Sequence, residues 1–193
     1  MKKSLGKLPA VYPMPVLMIA TYGEDGKVDV MNMAWGGVCD TDKVALNLDA
    51  THKTVENLRK RGAFTLSIAD LPHLAESDFF GIASGNKMAD KFERSGLHAV
   101  KSAVVDAPVI EEYPLTMECR VLEFQDQPYG LRVLGEIVNV LAEERVLDEN
   151  GKVDVSRLDA FVFDQFKNGY YALGEKAGQA WKSGVPLMKE TGK

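Results

Sequence analysis

Val16-Leu17-Met18-Ile19-Ala20-Thr21-Tyr22-Gly23-Glu24-Asp25-Gly26-Lys27-Val28-Asp29-Val30-Met31-Asn32-Met33-Ala34-Trp35 is the stretch that decides the fold. An apolar, partly β-branched run, Val16 to Tyr22, ends at Glu24-Asp25-Gly26, where Asp-Gly supplies the positive φ of a tight reversal. The chain then resumes with Val28, Val30, Asn32 and Ala34 alternating against Asp29, Met31, Met33 and Trp35. Two strands joined by a tight turn make a β-hairpin, and the rest of the chain extends it.

After Gly36-Gly37 and the polar Asp40-Thr41-Asp42, Val44 to Leu48 forms a third strand. Lys53 to Arg61 follows as a helix with Val55 and Leu58 on one face, stopped at Gly62. Ala63 to Ile68 is a fourth strand, and the mixed pattern from Leu71 to Leu97 gives two short helices and loops. Thr116 to Phe124 and Leu131 to Val146 are β-rich runs separated by Gln127-Pro128 and Gly130. At least six strands with few long helices predict a mainly β protein, a β-barrel closed on itself with helical insertions.

The chain of 193 residues is long enough for one well-buried core, and residues 1–193 read as a single domain. Within it, 154–193 is a C-terminal extension rich in aromatics (Phe161, Phe163, Phe166, Tyr170, Tyr171, Trp181) that packs on the barrel or on a second subunit. A hydrophobic share of 46% and a net charge of -5 are those of a soluble globular protein and argue against nucleic acid as a partner. The start lacks a continuous apolar segment, being broken by Pro9, Pro13 and Pro15, and no window reaches the length of a membrane helix. A cytoplasmic location is expected. Two cysteines and three isolated histidines give no disulfide framework and no metal-ligand spacing.

Thr51-His52-Lys53-Thr54-Val55-Glu56-Asn57 places two hydroxyls and a lysine where a strand leads into a helix. Free N–H groups, the positive end of the helix dipole and these side chains can converge on one phosphate, although the same pattern also serves as a simple helix cap. Neither nucleotide-binding glycine fingerprint is present, so a cofactor with one terminal phosphate fits better than a pyrophosphate. Asn32-Met33-Ala34-Trp35 offers an amide to the edge of a heteroaromatic ring and an indole to its face, or else a turn-proximal Asn and a core Trp. Lys91, in Ala89-Asp90-Lys91-Phe92, is either a further phosphate or ring contact or a surface lysine beside an aspartate.

Taken in order, these segments resemble the flavin reductase-like family of FMN-binding split barrels, and within it the flavoredoxin branch. The resemblance rests on Pro15-Val16, Thr21, Gly26, Asn32, Trp35, Thr51-His52-Lys53-Thr54 with Asn57, Phe79 to Gly81 and Ser84-Gly85. It continues through Asp90-Lys91-Phe92, Gly96-Leu97, Ala107-Pro108, Glu118-Cys119, Leu134-Gly135-Glu136-Ile137 and Tyr171-Ala172-Leu173-Gly174. It implies a six-stranded antiparallel Greek-key split barrel, a homodimer, and FMN near the subunit interface. Thr51, Lys53 and Thr54 would hold the phosphate with Asn57 supporting them, Asn32, Met33, Ala34 and Trp35 would line the isoalloxazine, and Lys91 would reach the phosphate or the ring edge.

The implied activity is an FMN-dependent oxidoreductase that carries electrons from NADH, NADPH or a protein donor to flavin or another acceptor. The alternative is a non-catalytic FMN-binding module, a flavin store, sensor or electron carrier. No side chain is assigned a catalytic role, because the flavin itself carries the electrons. Two departures stand out. Cys39 to Lys43 replaces a segment that holds a proline in many relatives, and Tyr129-Gly130-Leu131 stands where many have a histidine, with Tyr129 a candidate stacking group in its place.

Overall fold

A computed structural model describes residues 1–188. Strands β1 (Met14–Pro15), β2 (Leu17–Tyr22) and β3 (Val28–Met33) open the chain. β2 and β3 pair antiparallel from Leu17↔Met33 to Tyr22↔Val28. Their turn is closed by Gly23 N–H to Lys27 O (2.7 Å) and Gly26 N–H to Gly23 O (3.1 Å), with Gly26 at φ 79° as the Asp-Gly pair requires.

The next segment holds a strand that the sequence reading did not assign. The strand breaks at Ala34-Trp35, and Gly36–Asp40 is β4, which pairs with β5 (Lys43–Leu48). Gly36 serves close approach, not a turn: a Cβ there would lie 2.4 Å from Met33 Cε and 2.7 Å from the Ala45 carbonyl oxygen. α1 (Lys53–Arg61) then leads to β6 (Ala63–Ile68), stopping at Gly62 with φ 65° and its N–H bonded to Leu58 O. α2 (Leu74–Ile82) and α3 (Lys91–Ser95) follow. Two short strands unforeseen in the sequence, β7 (Ala99–Lys101) and β8 (Pro108–Ile110), pair with each other. β9 (Leu115–Gln127) and β10 (Gly130–Ala142) form a long hairpin, and Glu144–Val146 is a 3-10 turn where a continued strand was expected.

The principal sheet runs β3-β2-β6-β9-β10-β5-β4. Laid flat, its edge strands would stand about 29 Å apart at ~4.8 Å per strand. Yet β3 and β4 are separated in the chain only by Ala34 and Trp35, a link that reaches at most about 11 Å. The sheet therefore curls until residues 28–40 act as one bent strand serving both edges, and the barrel counts six strands. The order β6-β2-β3/β4-β5 within it is a Greek key.

Leu17, Ile19, Leu46, Phe64, Leu66, Cys119 and Val133 fill the barrel, and Val55 and Leu58 of α1 join them as a plug. Gly135 faces this interior closely: a Cβ would lie 2.5 Å from Phe64 Cζ. On the outer side of β2, Val16, Met18 and Ala20 pack with Val30, Phe80, Ile110, Tyr113 and Phe161. Both faces of β2 are covered, which explains its unbroken apolar run.

Phe161 is buried in one cluster with Val16 and Met18. β11 (Phe161–Asp164) and β12 (Gly169–Ala172) form a hairpin joined to β1. Leu173, Trp181, Leu187 and Met188 beyond it are exposed, and residues 189–193 of the extension lie outside the described residues. No helix among the described residues is long and apolar enough to cross a membrane.

Candidate functional site

The strand-to-helix corner begins at Asp49, whose Oδ1 accepts from both the Thr51 N–H and the Thr51 hydroxyl at 2.8 Å. This turn aims the chain into α1, whose start at His52 has no side-chain cap. The unpaired donors of a first helical turn remain open to a ligand there. His52, Lys53 and Thr54 border a cavity of about 140 Å³, with Asp29, Met31 and Asn32 of β3, Phe80 to Gly85 and Lys91 as its other walls.

Lys91 is the buried cation of this cavity. Its Nζ lies 3.4 Å from Asp29 Oδ1 and 5.8 Å from the centre of the Phe80 ring. Loss of solvent pushes the Lys91 pKa down, and the Asp29 carboxylate partly opposes that shift. Lys91 is thus no surface lysine beside Asp90, which instead pairs with Arg94 at 2.8 Å. The second oxygen of Asp29 accepts the Thr54 hydroxyl at 3.0 Å. Lys53 Nζ lies 3.1 Å from Glu56 and stays partly exposed. Gly85 closes the loop over these groups: a Cβ there would meet Asp29 Oδ1 at 2.5 Å and Lys53 Cγ at 3.1 Å.

A second cavity of about 340 Å³ adjoins the first and shares Met31, Asn32, His52, Gly81 and Ile82 with it. Met33, Ala34, Trp35, Asn47, Asp78, Phe163 and Tyr170 complete its wall. Asn32 is fixed by α2, its Nδ2 donating to Ser77 O at 2.9 Å. Tyr170 donates its hydroxyl to Asp78 Oδ1 at 2.9 Å. Burial first, then the neighbouring carboxylate, push the Tyr170 pKa up to about 12, while Asn32 pulls the other way. Trp35 and Phe163 stand 6.2 Å apart between ring centres, and half of the indole is exposed.

The structure therefore brings Asn32, Met33, Ala34, Trp35, Lys53, Thr54 and Lys91 to one continuous cavity. Thr51 and Asn57 line neither part. Thr51 is engaged by Asp49, and Asn57, fully buried, donates to Thr21 Oγ1 at 3.0 Å and so braces α1 against β2. Tyr129 is fully exposed at the tip of the β9–β10 hairpin. It borders a separate depression that also touches Trp35.

Sequence reasoning missed Asp29, Asp78, Phe163 and Tyr170 as cavity residues. Asp29 had a signal, an ionisable side chain alternating with Met31 and Met33 on one face of a strand. Asp78, Phe163 and Tyr170 reach the cavity only through long-range packing.

The flavin reductase like domain, as a family model, matches residues 9–159. The chain belongs to the flavin reductase-like family. Among solved structures, flavoredoxin of Desulfovibrio vulgaris (Miyazaki F) is 33% identical with a TM-score of 0.90, over 95% of this chain and 100% of that one. Flavoredoxin from Methanosarcina acetivorans is 27% identical with a TM-score of 0.86, over 97% of this chain and 98% of that one. A split-barrel protein from Shewanella frigidimarina shares the fold at 19% identity and a TM-score of 0.78, over 87% and 86% of the two chains. Within the flavin reductase-like family the chain thus resembles the flavoredoxins. The family match includes Trp35 but ends before Phe163 and Tyr170, so these two aromatic walls of the larger cavity come from beyond the matched residues.

Proposed function

We propose that this protein binds FMN and acts as an oxidoreductase, passing electrons from NADH, NADPH or a protein donor through the flavin to free flavin or another acceptor. The observation that carries this reading is the junction of two unlike cavities. A small one has an uncapped helix start, two lysines and a threonine, a donor set suited to one phosphate. A larger one, lined by Met31, Trp35, Ile82 and Phe163, suits a flat aromatic ring system. A solved protein from Thermus thermophilus, described as an FMN-binding protein, shares the fold at 19% identity and a TM-score of 0.75.

FMN, when bound, supplies both hydride and single-electron chemistry. The share of this chain is to hold and orient it: Lys53, Lys91 and the first turn of α1 toward the phosphate, Asn32 toward the ring edge, Trp35 and Phe163 toward the ring. We propose further that the protein is a homodimer. The exposed Leu173, Trp181, Leu187 and Met188 of the C-terminal arm support this, since apolar side chains of that size call for a cover.

An absorbance spectrum of the purified protein, before and after NADH and NADPH under exclusion of oxygen, tests the reading. Uptake of FMN followed by bleaching with one nicotinamide is expected, in a sample that sediments at about twice the chain mass. A chain that does not take up added FMN overturns it, and a monomer overturns the dimer.

A second reading, a flavin store, sensor or carrier, is favoured by one observation: Tyr129 stands fully exposed and borders only the neighbouring depression. That reading expects tight FMN binding without bleaching by either nicotinamide.

A further inference from the structure

We propose that Asp29 is a built-in competitor of the flavin phosphate, which occupies Lys91 and Thr54 in the flavin-free protein and so keeps the bound flavin exchangeable. The inference rests on the FMN reading above. It starts from a chemical mismatch: a cavity whose lysines and helix start suit an anion already contains one. Asp29 is buried, and its two oxygens are divided between Lys91 Nζ (3.4 Å) and the Thr54 hydroxyl (3.0 Å). These are two of the donors a phosphate would need in that cavity.

The carboxylate has little room to withdraw. On one side Gly85 is so close that a single added carbon would lie 2.5 Å from Asp29 Oδ1. Asp29 also sits within the β2–β3 ladder, opposite Thr21, so its backbone is fixed. An arriving phosphate must draw Lys91 and Thr54 away from Asp29 and then remain beside a like charge in a cavity of about 140 Å³. The remaining cation, Lys53, is shared with Glu56 at 3.1 Å. The grip on the phosphate is correspondingly weak, and the ring cavity carries most of the affinity. Such a protein would take up and release flavin in each cycle, handling FMN as a substrate more than as a permanent group.

The test compares FMN with riboflavin, which lacks the phosphate, on the wild type and on Asp29→Asn, by quenching of flavin fluorescence. The amide is isosteric and still accepts the Thr54 hydroxyl. An opposite charge within about 4–6 Å shifts a neighbouring ionisation by roughly one to three units and a like charge acts in the reverse sense, so Asp29→Asn should bind FMN roughly tenfold more tightly or better. Riboflavin affinity should change by less than about twofold. Asp29→Thr, neutral and suited to a strand, serves as a second variant and should move FMN in the same direction.

Unchanged FMN binding overturns the inference, and weaker binding overturns it and makes Asp29 a ligand of the flavin instead. So does an equal gain for riboflavin. A wild type that binds neither flavin overturns the proposed function itself, which distinguishes the two failures.

Discussion

The two ends of the cavity are built on opposite terms. The small end is closed and charged, with Asp29, Lys91 and Thr54 locked in mutual contacts by β3, α1 and α3. The large end is open and apolar, with Trp35 half exposed and its far wall supplied by the β11–β12 hairpin. Charge held by regular elements can identify one ionic group. A soft aromatic wall can accommodate a ring and leave a face accessible to a second molecule. The proposed role, holding a cofactor that must still exchange electrons, calls for both.

The sharpest way to break this contrast is Lys91→Met. It removes one partner of a buried pair and strands Asp29 without its cation, a change that costs on the order of 3 kcal/mol of stability. Thermal or denaturant unfolding should register that loss. In the same variant FMN affinity should fall by roughly tenfold to a hundredfold, the worth of a hydrogen bond to a charged group, with riboflavin affinity nearly unchanged. If both flavins weaken alike, the closed end does not read the phosphate, and the division of labour fails.

Phe163→Ala probes the other end, with a smaller effect. The ring is partly buried against Tyr170, 5.9 Å between centres, so its removal should cost about 2 kcal/mol, less than a fully buried phenylalanine. FMN and riboflavin should both lose affinity, by a similar factor of roughly ten. A selective loss of FMN alone would assign the phosphate to this end instead.

How much of this was legible follows from how local each part is. The Asp-Gly turn, the stop at Gly62 and the strand-to-helix corner depend on neighbouring residues, and each stands where the sequence reading put it. A closed barrel followed from the number of strands and their turn signals, and its six-stranded Greek-key form from the resemblance alone. The strand at Gly36–Asp40 went unassigned, because glycine marks a turn and a close backbone approach with the same letter. Only the Ala45 carbonyl across the ladder distinguishes the two. Lys91 drew attention by its neighbours in sequence, yet its partner is Asp29, 62 residues away. The aromatic wall is the extreme case: Phe163 and Tyr170 read as a tail in search of a cover, and nothing local says that they close a cavity begun at Asn32.

The finest distinction between the ends concerns the phenol of Tyr170, the titratable group that the open end holds against Asp78. Tyr170→Phe removes one hydrogen bond and should cost at most about 1 kcal/mol near neutral pH. The pH dependence is more telling than the size. With the folded-state pKa raised to about 12 from an ordinary 10.0, the folded protein holds this proton more tightly than the unfolded chain does. The resulting stability is fully present below pH 10 and is lost as the pH climbs toward 12. The gap between the denaturation midpoints of wild type and Tyr170→Phe should therefore narrow from pH 8 to pH 11. A gap that stays constant over that range would mean that the phenol is no more protected than a surface tyrosine. The open end would then be wetter than the contrast with the buried Asp29–Lys91 pair requires.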